Sequence, residues 1–277
     1  MKNKGLIITL IVLISIMVIG LITFLVINLN NNHGYSIFRS KKISDNLLID
    51  KVYTGSFDLV DIDSNAADIY IKENKSENVH IIIYGKDNTA SVKQENSSIK
   101  IDVKTKTCKF LCINTTISKV EVYLPKAYEK KINIKNNFGD ISVERFEKAN
   151  IKIEEDAGDI DVTSADIINI INHYGNIKVG AVNEITANED LGDIRINTVN
   201  GYLDLENNCG DIKIENAFIN KSSYIKNDLG DIKIGKTTNI NINAKTSLGD
   251  VKVNKTDKEA NISLVITNNL GDIVVNN

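Results

Sequence analysis

The sequence is poor in the residues that usually carry chemistry. Its three histidines, His33, His80 and His173, lie far apart, and no His-Glu-x-x-His pair, nucleophile elbow or phosphate loop occurs. The three cysteines give one Cys-x-x-x-Cys spacing, Cys108 to Cys112, with no second pair and no histidine nearby, which argues against zinc. Outside the cell membrane those two allow a local disulfide, and Cys209 is then left over. There is no tryptophan, no sortase motif at the C-terminus and no lipid-accepting cysteine near the N-terminus. Basic charge is also scarce. Residues 1–42 hold five of the 33 Lys and Arg and no acid, so the remainder sets 28 bases against 36 acids, a net charge of −8. Without a basic stripe, nucleic acid is excluded as a partner.

What the chain has is a repeat. Gly139, Gly158, Gly175, Gly192, Gly210, Gly230, Gly249 and Gly271 recur in steps of 19, 17, 17, 18, 20, 19 and 22 residues. Each is followed by Asp140, Asp159, Asn176, Asp193, Asp211, Asp231, Asp250 or Asp272, then by an aliphatic residue, any residue and another aliphatic. Seven and five residues before each glycine the side chain is again mostly aliphatic, as in Ile132 and Ile134 or Leu203 and Leu205. Two short β-branched strands per period of about twenty predict an all-β, single-domain parallel β-helix with 17–22 residues per coil. A third, irregular side of roughly six to eight residues closes each coil, and eight coils about 4.8 Å apart make a rod about 40 Å long.

The apolar pattern shifts at the glycine. Positions seven, five and one before it, then two and four after it, are expected to face inward, and glycine absorbs the extra residue by a positive φ or a bulge. Cys209 stands one before a glycine and so is expected in the core. The aspartates are read as structural corner residues that accept backbone N–H groups. Lys178, Arg195, Lys213, Lys233 and Lys252, two residues further on, offset their mutual repulsion. A calcium ladder is the alternative, but one oxygen ligand per coil is thin for that ion, so no metal or cofactor is expected. Asn136, Asn172, Asn207, Asn227 and Asn268, three before the glycine, predict amides bonded from coil to coil.

The ends are less regular. Residues 5–27 are 23 uncharged residues after Lys2 and Lys4, long enough to cross a bilayer, with no signal-peptidase site behind them. The expected order is a cytoplasmic tail at 1–4, a transmembrane anchor at 5–27, a polar tether at 28–49 reaching at most roughly 75 Å, and the solenoid at 50–277. The N-terminus is placed inside and the solenoid outside the cell membrane, although Arg39, Lys41 and Lys42 compete with the leading lysines. Asn65-Ala66-Ala67-Asp68 looks like a degenerate corner in a capping coil. After the last corner only Asn276 and Asn277 follow the final strand, so the C-terminal coil is expected to end uncapped, its face either packed end to end with a second copy or covered by folding back of the irregular inserts.

Val120-Glu121-Val122-Tyr123-Leu124-Pro125-Lys126, Ile132-Asn133-Ile134 and Phe138-Gly139-Asp140-Ile141 together resemble the start of the solenoid in the bacterial putative adhesin family, a group of domains of unknown function. The later Gly-Asp-Ile units are similar, and the resemblance extends over most of 50–277. It implies a β-solenoid on the cell surface, with some relatives of the LiaG kind tied to envelope stress, and it implies no catalytic residues. The expected function is a non-catalytic surface binding or adhesion module whose partner is a cell-wall glycan or surface protein. The alternative is an envelope-stress accessory acting through a membrane partner. A polysaccharide-processing enzyme is the remote third, since acids spread one per coil mark no cleavage point.

Overall fold

The computed structural model describes residues 42–43, 45–86, 89–104, 116–238 and 240–276. Apart from Lys42 they belong to one compact unit, 43–108 with 116–277. The proposed anchor, the first part of the tether, His33, Cys108 and Cys112 fall outside the described residues. Among the described residues every regular element is a strand, and no helix is long and apolar enough to cross a membrane.

The strands stack in parallel as a solenoid. Ile141 pairs with Ile160, Ile160 with Ile177, Ile177 with Ile194, Ile194 with Ile212 and Ile212 with Ile232, so equivalent repeat positions sit directly above one another. The strand before the glycine does the same: Ile132 pairs with Ile151, Ile151 with Ile168, Ile168 with Ile185 and Ile185 with Leu203. These residues are essentially fully buried. Like sits on like because the period of the sequence equals one turn of the coil, and the aliphatic columns exclude water along the whole stack.

The third side differs from the expectation. In the shortest coils it is not irregular: single strands run from corner to corner as Ile160–Tyr174 and Ile177–Leu191, with Ser164 paired to Ala181 and Ala165 to Val182. The pairing skips Thr163 with Gly180 and Asp166 with Asn183, and the last two share a side-chain hydrogen bond of 2.7 Å. A third buried column results, Phe146, Ala165, Val182, Val199 and Ala217, seven residues after the glycines. Small side chains there let the coil close in 17 residues. Longer connections return only later, at 218–222 and 254–262.

Both ends are wired out of chain order. At the first end, Leu59–Ser64 and Ala67–Asn74 form a layer under the Gly139 coil, with Ile69 paired to Ile141 and Val60 to Ile132. Its corner is the degenerate Asn65–Asp68 copy. Below it lies a layer made later in the chain, Ser98–Lys104 and Thr116–Pro125. Antiparallel strands Leu47–Tyr53, Val79–Tyr84 and Thr89–Glu95 extend that end of the sheets. At the other end, Ser263–Leu270 and Ile273–Val275 insert between the Gly230 coil and the Gly249 coil. The expected open C-terminal coil is therefore an interior layer, with Val275 fully buried. Asn241–Leu248 and Val251–Val253 form the outermost layer, where Thr256 Oγ1 accepts the Ile242 N–H at 2.8 Å.

Candidate functional site: the Gly-Asp corner

The corner glycines are demanded by contact between layers. A Cβ on Gly158 would lie 1.8 Å from the Gly139 carbonyl oxygen, and one on Gly192 would lie 1.7 Å from that of Gly175. No side chain fits there. Positive φ contributes at most corners, but these two show that close stacking of backbone on backbone is the more general cause.

Each corner aspartate or asparagine then ties its layer to the next. The Asp159 N–H donates to Asp140 Oδ1 at 3.1 Å, Asn176 to Asp159 at 2.8 Å, Asp193 to Asn176 at 3.1 Å and Asp211 to Asp193 at 2.9 Å. The row continues through Asp231, Asp272 and Asp250, and it begins one layer lower, where Asp68 Oδ1 accepts the Asp140 N–H at 2.8 Å. It follows the spatial order of the layers and not the order of the chain. Asp231 is held below the usual carboxylate range by the Asp272 N–H and then by Lys233 at 3.0 Å. Arg195 pairs likewise with Asp193 at 2.8 Å, whereas Lys178 reaches Asp161 and Lys213 reaches Glu215.

Inside the corner the asparagines do not bond to one another as expected. Their amides donate to corner carbonyls of the neighbouring layer: Asn207 to Gly192 at 3.1 Å, Asn227 to Gly210 at 3.2 Å, Asn268 to Gly230 at 2.8 Å and Asn136 to Ala67 at 3.0 Å. Two glutamates share this buried column, Glu155 and Glu189, in two of the three coils where asparagine is missing; the third, outermost coil has Thr246. Glu189 accepts from Asn172 Nδ2 at 2.7 Å and from the Leu191 N–H at 3.1 Å. Burial pushes both carboxyls up to about 7.

The residue just before the glycine is where the inward expectation fails. Phe138 is 48% exposed, Tyr174 60%, Leu191 54%, Leu229 49%, Leu270 49% and Leu248 68%, and Ala157 and Cys209 are half-buried. The inward set is seven, five and three before the glycine. Once the asparagine at minus three turns in to satisfy corner carbonyls, the chain swings round the corner and throws the next apolar residue outward. Registers Tyr174 to Leu191, Leu191 to Cys209, Cys209 to Leu229 and Leu229 to Leu270 align these residues into a continuous apolar stripe. Cys209 is thus part of an outer surface, not the core.

Elsewhere the surface is ordinary. His80 contacts Asp50 at 2.7 Å and stacks on Tyr123, and His173 contacts Asp190 at 2.6 Å, which raises the His173 pKa. An open pocket of about 380 Å³ lies between Phe57, Asn78 and Tyr128. The Tyr128 hydroxyl there donates to the Lys131 carbonyl, burial raises its pKa, and Glu129 pairs with Lys148. Among the described residues no cluster of three or more His, Cys, Asp and Glu is placed to hold a metal ion.

The fold has a counterpart among solved structures. A protein from Bacteroides fragilis described as a putative adhesin superposes with a TM-score of 0.50 at 17% identity, over 84% of this chain and 98% of that one. A putative adhesin from Parabacteroides merdae gives 0.45 at 11% identity, over 83% and 98%. No curated protein matches the sequence. The model of a family called Toastrack DUF4097, a domain of unknown function, matches residues 57–276, which include every layer of the stack and every corner, and the chain belongs to that family.

Proposed function

We propose that the chain is a non-catalytic binding module of the cell surface, held to the membrane by residues 5–27 and presenting its solenoid outside the cell on a tether that starts at residue 28 and ends before the strand Leu47–Tyr53. The exposed apolar stripe carries the reading. Six large apolar side chains about half exposed or more, aligned along one edge of a soluble stack, are a surface that a monomer avoids unless something binds there. The adhesin descriptions of the structural neighbours agree with such a role. The acids at the corners are committed to backbone N–H groups, so they serve the scaffold and leave chemistry without an evident centre.

Two measurements test the proposal. A C-terminal reporter fusion should be active outside the cell membrane, and activity only inside would refute the orientation. The full chain in lipid nanodiscs, incubated with cell-wall glycan and with surface-protein extracts, should retain a saturable partner. Loss of that partner on replacing Leu191 and Leu229 by Asn would locate it on the stripe.

A further inference from the structure

The stripe has a charge environment of its own. Two residues after it in every coil stands the corner column, acidic in all but the Asn176 coil. Immediately before it, on the other side, stand Asp156, Asp190 and Asp228, with His173 as the lone basic type among polar residues. Ten carboxylates therefore border eight apolar positions. Three of these carboxylates have basic partners within the chain: Arg195 on Asp193 and Lys233 on Asp231 reach in from beyond the corner column, and His173 meets Asp190 beside the stripe. Eight layers at about 4.8 Å give a stripe about 34 Å long.

We infer that the partner is a basic amphipathic polypeptide that lays an apolar face along Phe138, Tyr174, Leu191, Leu229, Leu270 and Leu248, with lysines or arginines reaching the acids on either side. This rests on the binding-module reading above and names its partner class. Charge complementarity selects the occupant. A second copy would bring acidic borders against acidic borders, and an anionic lipid surface would be repelled in the same way. A basic helix of about 22 residues, at 1.5 Å per residue, matches the length of the stripe.

The probe is a labelled 22-residue helix of Leu and Lys in amphipathic order, with a Leu and Glu peptide of the same pattern as control. Each is titrated by fluorescence anisotropy into the full chain in zwitterionic nanodiscs, against empty discs. The expected result is saturable binding of the Lys peptide. It weakens at least tenfold in the Leu191→Asn, Leu229→Asn double variant, weakens again between 0.05 and 0.5 M salt, and is absent for the Glu peptide. Melting of the double variant within a few degrees of the parent shows that the stack is intact, because both side chains are already half exposed. Separately, Asp156→Asn with Asp190→Asn should weaken the Lys peptide and reduce, without abolishing, the salt dependence of its binding, because eight of the ten carboxylates remain. Equal binding of both peptides, equal binding by the double variant, or no binding beyond empty discs would overturn the inference. If that happened while the cell-wall and surface-protein incubation still retained a partner through Leu191 and Leu229, the basic-peptide class would fail and the binding module would stand.

Discussion

The middle of the stack and its last three layers use the same repeat to different ends. From Asn150 to Val199, chain order and spatial order coincide, and each coil lies on the one made just before it. At the far end the coil of Gly271 sits under the coil of Gly249, which precedes it in sequence. Corner contacts are nevertheless the same in both regions: the Asp250 N–H donates to Asp272 Oδ1 at 2.9 Å, as Asp211 does to Asp193. The corner motif therefore specifies what a layer is and how layers adhere, and it does not specify which layer is next. Order is left to the connections, which are single-residue bends in the 17-residue coils and the longer segment 254–262 near the end.

The largest effect should come from the tightest corner contact. Gly158→Ala or Gly192→Ala forces a methyl into a backbone oxygen with layers on both sides, and should abolish cooperative melting or cost more than about 4 kcal/mol. Gly249→Ala also meets a carbonyl oxygen, that of Gly271 at 2.2 Å, and at a positive φ, but its coil is outermost and can lift away from the stack, so it should cost less by the same circular-dichroism melts. Equal losses would refute the account of layers held from both faces. Ile194→Asp, which buries a charge in a middle column, belongs in the first class, at several kcal/mol.

A second comparison is with Val275→Lys. If the Gly271 coil were the open end, a lysine there would be tolerated. As an interior layer it should lose about 3 kcal/mol or more in denaturant unfolding and loosen the Gly249 coil above it, seen as faster amide exchange at Asn241–Leu248.

The buried glutamates sharpen the contrast between asparagine coils and glutamate coils. Burial raises the folded pKa of Glu189 from 4.5 to about 7, so the folded chain keeps a proton that the unfolded chain releases. Stability from this group therefore falls as pH rises from about 4.5 to about 7 and is level above that. Glu189→Gln should remove the slope and raise stability at pH 8 by up to about 3 kcal/mol, with no change at pH 4. An unchanged pH profile would refute the assignment. The smallest effect is at the surface: Lys213→Ala, whose Glu215 pair is half exposed, should shift stability by less than about 1 kcal/mol.

The repeat was legible because stacking makes period, pairing and burial one property. The aliphatic columns and the glycine corners could be read directly, down to the copy at Asn65–Asp68. The inward placement of Phe138, Tyr174 and Leu191 was misread because an apolar residue in strand alternation implies core, whereas the inward minus-three polar column is visible only once its carbonyl partners are placed. Glu155 and Glu189 carried a signal, since they occupy the asparagine position in their coils, but their acidic type suggested surface. The interposed coil left no local mark: Leu270-Gly271-Asp272-Ile273 and Leu248-Gly249-Asp250-Val251 are near-identical as text, and only the length of 254–262 hints at a detour.

That near-identity has a temporal side. A solenoid wired in order can add turns as its chain emerges, each new coil finding a finished template. Here the coil of Gly249 emerges first and meets the exposed edge of the Gly230 coil, to which it is almost as well matched as the later coil that belongs there. Maturation must then either delay its docking or prise it off again. The final layers thus compete for one berth, and assembly closes either on a docking held back until the chain is complete or on an exchange of one coil for the other.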